Sequence, residues 1–311
     1  MDNQTSIKYF QILAFSSHVE NHRLLFAIFL VIYVTGLLGN LVILIAVFVD
    51  SHLHTPMYFF LCNLSSLDII FTTVTLPKLM DILLSGSNVI SFSECFSQLY
   101  FYVFLASTED ILLSSMAYDR YVAICSPLHY QLIMHNRKCV LILLGTWMSG
   151  CMNSIFMTVL ISNLTLCRSN KIHHFFCEIK ALEKISCNNS GFHIIIYVET
   201  LLLGVFPFLL SLTSYIKIIR VILSIKSKNG RRKAFSTCTS HLTVLIIFYG
   251  TGLCMYVKPP LEHLEEQDQV FSALYAAVTP MVNPLIYSLR NKDVNGALKR
   301  IVRSNKQLVV I

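Results

Sequence analysis

The chain has 311 residues, 55% hydrophobic and 13% charged, with a mean hydropathy of +0.63. A soluble domain carries about 25% charged side chains, so these figures exclude disorder, collagen, a coiled coil and an ordinary soluble enzyme, and they point to a chain solvated mostly by lipid. The net charge of +7 says little about nucleic acid until the charges are located, and ten cysteines suffice for one or two bridges but not for a disulfide-built miniprotein.

A helix crossing the hydrocarbon core needs about 20 mostly apolar residues. The first 23 residues are polar and mixed and lack the apolar core and small-residue cleavage site of a leader, so none is expected. The first span, about 24–49, is then its own insertion signal; it is charge-free and contains Gly39 and Asn40. The second, about 57–83, opens on PMYFFL at 56–61 and carries Asp68. The third, about 95–125, carries Glu109 and Asp110 and closes on MAYDRYVAIC at 116–125. The fourth, about 139–162, is charge-free, and the fifth, about 192–224, carries Glu199, Ser214 and Tyr215. The sixth, about 234–258, opens on KAFSTCTSHL at 233–242. The seventh, about 268–289, closes on PMVNPLIYSLRN at 280–291, and a short amphipathic cytoplasmic helix, about 291–302, follows.

The reading is an all-α membrane protein, a seven-transmembrane helix bundle forming a single domain over 1–311. The connection between spans four and five, about 30 residues, is too short for another domain, and the odd count with unlike halves argues against the paired repeats of transporters. With the N-terminus extracellular, 16 of the 24 Lys and Arg fall inside, which obeys the positive-inside rule. The cytoplasmic face then carries +13, the outer face −2, and four acids within the spans complete the +7. That charge is a topology signal, and no nucleic-acid partner is expected. Glycosylation sequons at Asn3, Asn163 and Asn188 fall outside, and a fourth at Asn63 lies within span two, out of reach of glycosylation.

Six motifs in order, each at the expected membrane face, closely resemble the vertebrate odorant receptors of the rhodopsin-like G-protein-coupled receptor class, from about residue 26 to 300. They are Gly39-Asn40, PMYFFL, MAYDRYVAIC, Ser214-Tyr215, KAFSTCTSHL and PMVNPLIYSLRN. Val282 stands where the family usually has Leu, and Lys180 and Ala181 where many members carry a proline pair; Glu183 is also more polar than usual. The resemblance implies a receptor at the plasma membrane, in cilia of olfactory sensory neurons. It would bind a small volatile or water-borne odorant and activate a stimulatory olfactory-type heterotrimeric G protein that raises cAMP. A rhodopsin-like receptor for another small ligand is the alternative, although span seven has no midway lysine for a retinal Schiff base. A transporter is less favoured, and an enzyme least, since no nucleophile or metal set surrounds the intramembrane acids.

The resemblance also assigns roles. Asp119, Arg120 and Tyr121 form the switch, with Arg120 held by its neighbouring carboxylate until a G protein competes, and with Tyr215 and Tyr287 swinging in to support it. A guanidinium snorkelling beside a surface carboxylate is the plainer reading. Asn40, Asp68, Glu109 and Asn283 would make a polar core. An acid mid-membrane costs about 2.5–3.5 kcal/mol and should face the interior with a partner. Two acids at one site predict a shared proton or an intervening cation, here sodium near Asp68 and Glu109; a hydrogen-bond network without an ion is the alternative. No other cofactor is expected. Pro284 permits a kink. Asp110 lies about 100° round the helix from Glu109 and has no assigned partner. The family's bridges would be Cys95–Cys177 and Cys167–Cys187, although four outer cysteines allow three pairings. His173, His174, Cys177 and Glu178 could suggest a metal, but a bridged Cys177 is no thiolate ligand, and a packed lid is preferred.

The family suggests a ligand pocket lined by Tyr102, Val103, Ala106 and Ser107 on span three and Glu199 and Leu203 on span five. Span six would add Tyr249, Gly252, Leu253 and Tyr256, and span seven Ala276, with Tyr249 deep enough to sense the ligand. Ordinary helix packing is the plain alternative. An ionised Glu199 would favour amines, and a protonated one alcohols or aldehydes. A third option pairs it with Lys180, Lys184 or a polar neighbour.

Overall fold

The structure, a computed structural model, describes residues 8–15, 21–166, 169–187, 191–256 and 265–308, without the side chains of 233, 255–256, 265–266, 289–290, 292 and 302–308. Its long helices are α1 (His22–Val49), α2 (Pro56–Ser85), α3 (Phe92–Cys125), α4 (Asn136–Ser162), α5 (Phe192–Ser224) and α6 (Lys228–Tyr256). Helix α7 is continuous through Glu265–Ala273, Leu274–Val278 and Thr279–Arg290, and α8 is Lys292–Leu308. Six of these, α1, α2 and α4 to α7, are long and apolar enough to cross a membrane. Helix α3 is the seventh. Glu94, Glu109, Asp110, Asp119 and Arg120 lower its hydropathy, and it takes the centre, packed on α2, α4, α5 and α6. A helix rich in acids belongs where protein rather than lipid surrounds it. Helices α1 and α5 instead turn Val31, Phe48, Tyr197 and Leu201 outward, the arrangement that lipid requires.

Local signals set several boundaries. Pro56 opens α2, where its missing N–H is no loss, and Gly86 ends it in the left-handed region at φ 74°. A capping box starts α3: the Ser91 hydroxyl accepts from the Glu94 N–H at 3.2 Å, and the Glu94 carboxylate accepts from the Ser91 N–H at 2.8 Å. Helix α6 begins at Lys228, ahead of the apolar run, because the basic segment is itself helical.

Two wide π-helical turns interrupt the bundle, Leu201–Val205 in α5 and Leu274–Val278 in α7. The outer end also departs from the all-helical expectation. Strand β1 (Tyr9–Ile12) pairs antiparallel with β2 (Val89–Ser91) and parallel with β3 (Lys171–Ile172), tying the N-terminal segment to two outer loops. Phe10 and Ile12 are fully buried beneath it, and Phe15 stacks on Phe175 at 6.1 Å.

Helix α1 meets α7 over small residues. A Cβ on Gly39 would lie 3.0 Å from the Pro284 ring, so glycine admits the proline there. Pro284 has no N–H, which leaves the Pro280 carbonyl without its helical donor. The Asn40 amide supplies one, donating to Pro280 O at 3.1 Å and to Gly36 O at 3.0 Å. On the cytoplasmic side, Arg300 of α8 pairs with Asp50 at 2.7 Å, and Tyr58 donates to Asp293 at 3.0 Å. Burial opposes ionisation of Asp50, yet hydrogen bonds from His52 and Arg300 outweigh it and hold the carboxyl at about 2.

Candidate functional site

A cavity of about 390 Å³ lies in the outer half, between α3, α5, α6 and α7, a size typical of small-ligand sites. Tyr102, Val103, Ala106 and Ser107 line it from α3, and Glu199 and Leu203 from α5. Tyr249, Gly252 and Leu253 line it from α6. The side chain of Tyr256 lies outside the described residues. Ala276 does not line the cavity: it is fully buried among helices, and Tyr275 faces the cavity instead. The π turn explains the difference, since a wider turn shifts the register that regular helical spacing predicts.

The structure adds Asp110, which the sequence left without a partner. Tyr249 donates to Asp110 Oδ1 at 2.8 Å, and Ser211 approaches the Tyr249 hydroxyl at 3.4 Å. Among the described residues Glu199 pairs with a polar neighbour and not with a lysine: its Oε1 accepts from Asn153 Nδ2 at 3.1 Å, and the same amide reaches Ser107 at 3.0 Å. Phe208 and Phe248 complete an aromatic wall with Tyr249.

Beneath the cavity, Asn283 Nδ2 donates to Asp68 at 3.1 Å. Asn40, Asp68, Glu109 and Asn283 are all buried, and one oxygen each on Asn40, Glu109 and Asn283 has no hydrogen-bond partner among the described residues.

At the cytoplasmic end, Arg120 donates to Asp119 through Nε at 3.0 Å and Nη2 at 2.5 Å. Asp119 is fully buried, and its other oxygen accepts from Tyr130 at 2.8 Å, a partner that no motif reveals. Tyr215 and Tyr287 are not on Arg120. Tyr215 contacts His241 Nδ1 at 2.8 Å, and the buried Tyr287 hydroxyl has no partner among the described residues. The ammonium of Lys217 sits over the Tyr121 ring, 5.2 Å from its centroid.

Cys95 and Cys177 form a disulfide with Cα atoms 5.4 Å apart, and Gln98 ties this lid to α2 by accepting from Cys177 N–H and donating to Val74 O, both at 3.0 Å. Cys167 lies outside the described residues, as do Asn3 and Asn188. Asn163 is exposed at the end of α4. His174 is buried against Ser272 at 3.1 Å, and burial pushes its imidazole below the usual range. Among the described residues no three His, Cys, Asp or Glu side chains are grouped to hold a metal. Asn63 accepts from Trp147 Nε1 at 3.2 Å, so it joins α2 to α4 inside the bundle.

A seven-helix bundle with an outer cavity, a polar core and a buried Asp–Arg pair at its cytoplasmic end has the plan of a rhodopsin-like receptor. The family model described as olfactory receptor matches residues 29–305. The chain is 43% identical over 305 residues to olfactory receptor 1E16 of Mus musculus, covering 98% of this chain and 97% of that protein. It is 46% identical over 304 residues to olfactory receptor 13F1 of Homo sapiens, covering 97% and 95%. Olfactory receptor 7D4 of Homo sapiens is 45% identical over 302 residues, 97% of each chain. The chain therefore belongs to the olfactory receptor family: a multi-pass membrane protein, an odorant receptor of the G-protein-coupled class and not an enzyme.

Proposed function

We propose that this receptor binds its odorant in the cavity between α3, α5, α6 and α7 and signals through a stimulatory olfactory-type G protein to raise cAMP, in the cilia of olfactory sensory neurons. The observation that carries the reading is the Tyr249–Asp110 hydrogen bond, which joins a cavity wall on α6 to central helix α3. A ligand that displaces or reshapes this contact changes the packing of α6 on α3. It shifts the population only as far as its affinities for the two states differ. At the cytoplasmic end the same helices carry Arg120 and His241, so a displaced α6 frees Tyr215 from His241 and exposes Arg120 to the G protein. The resting arrangement, with Arg120 on Asp119 and Tyr287 unpartnered, fits a receptor awaiting ligand.

The polar core suits a sodium ion. Asp68 supplies a carboxylate, and the unpartnered oxygens of Asn40, Glu109 and Asn283 are hard donors of the kind such cations take. Sodium there would offset the charge of two buried acids and favour the resting state.

The test is an odorant panel on cells expressing the chain with a cAMP reporter. A concentration-dependent rise that Arg120→Ala abolishes at equal surface density supports the reading. Odorant responses that persist in Arg120→Ala, or that travel through another second messenger alone, overturn it.

A further inference from the structure

We infer that the cavity selects protonated amines with a small apolar body. This rests on the reading of the cavity as the odorant site and names its ligand class.

Two carboxylates on different helices line one cavity, Asp110 from α3 and Glu199 from α5. Each uses a single oxygen for a neutral donor, Tyr249 at 2.8 Å and Asn153 at 3.1 Å. The second oxygen of each takes no donor from the described residues, and neither acid forms an ion pair among them. Among the described residues no Lys, Arg or His lines the cavity. The lysines of the outer loop, Lys171, Lys180 and Lys184, line a separate vestibule of about 300 Å³ that meets the cavity at Tyr102 and Ile179. A buried carboxylate such as Asp110, with the half-buried Glu199 beside the same cavity, needs an opposing charge with matching donors, and the described residues leave that role to the ligand.

The rest of the lining suits an ammonium group. Tyr102, Phe208, Phe248, Tyr249 and Tyr275 line the cavity with aromatic rings, whose faces attract cations once water is removed. An ammonium offers up to three N–H donors to the open oxygens, whereas an alcohol offers one. An aldehyde or ester offers none and turns a carbonyl dipole against a carboxylate. The apolar body would pack on Val103, Ala106, Leu203 and Leu253.

The experiment compares alkyl- and arylalkylamines with alcohols and aldehydes of the same carbon skeletons. It reads cAMP in cells and thermal unfolding of the detergent-purified receptor. The amine of each set is expected to be about tenfold or more the stronger agonist and to raise the unfolding midpoint. Glu199→Gln and Asp110→Asn are each expected to weaken amines about tenfold or more beyond whatever shift the same variant causes in neutral odorants of the same skeleton, which serve as its internal reference, at equal surface density. Equal potency within the sets, or equal loss across both classes in the variants, overturns the amine assignment and leaves the receptor reading standing. Amines that stabilise the purified receptor without any cAMP response support the assignment and overturn the signalling reading. No stabilisation and no response from any amine overturns the assignment on both measurements.

Discussion

Asn40 illustrates how one side chain can be required by a backbone defect in another helix. Pro284 withholds a hydrogen bond from the Pro280 carbonyl, and Asn40 replaces it from α1 at 3.1 Å. Asn40→Ala would leave that carbonyl unsatisfied in a buried interface, a loss of about 1–3 kcal/mol. Asn40→Asp should fare no better, since an ionised carboxylate has no proton to donate. Both variants are expected to lower the unfolding midpoint of purified receptor, and a wild-type midpoint in either would remove the proposed role. The need for Asn40 was legible as an intramembrane polar residue, but its partner was not. Asp110 with Tyr249, Glu199 with Asn153 and Asp119 with Tyr130 have the same history. A sequence marks the residue that is expensive to bury, whereas its partner sits on another helix at a register that only packing fixes.

At the scale of the element, the spans were legible because lipid imposes both length and apolarity on them. The π turns were not, since widening one turn leaves composition and hydropathy unchanged; the misplacement of Ala276 and the missed Tyr275 both follow from that. The β1 strand was equally hidden, because its partners come from two distant loops. Helix proximity makes a sharper prediction. On α4, a Cβ at Gly150 would collide with Thr108 Oγ1 and lie 2.9 Å from the Phe104 carbonyl, whereas Gly145 has nothing within 4 Å. Gly150→Val must push α4 off α3, with overpacking losses of about 1–3 kcal/mol or more. Surface expression by flow cytometry should fall several-fold for Gly150→Val and stay near wild type for Gly145→Val; equal behaviour would contradict the close α3–α4 approach. Opening the Cys95–Cys177 bridge, which spans 82 residues, should also destabilise the receptor, by about 2–5 kcal/mol. Cys95→Ser is therefore expected to lose surface expression, and wild-type levels would deny the bridge a structural role.

For the whole molecule, helix α3 is the common wall of every functional layer. Its outer turns line the cavity, Glu109 stands in the polar core, and Asp119 and Arg120 close its cytoplasmic end. A ligand effect can travel along it only if the resting arrangement at the far end is held weakly enough to be shifted. Tyr130 is the adjustable part of that hold. It donates to one oxygen of Asp119 while Arg120 occupies the other, so the carboxylate is saturated only while both partners are in place. Tyr130→Phe keeps the ring and deletes this donor. A hydrogen bond to a charged group contributes about 1.5–3 kcal/mol, and about 1.4 kcal/mol is a factor of ten in a two-state equilibrium. Because the bond belongs to the arrangement with Arg120 held inward, its loss should move the equilibrium toward the active state by at most about ten- to a hundredfold. Basal cAMP per surface receptor should rise in Tyr130→Phe without added odorant, and the rise should vanish in the double variant with Arg120→Ala. Unchanged basal output at equal surface density would mean that Tyr130 supports the fold of the loop and not the balance of the switch.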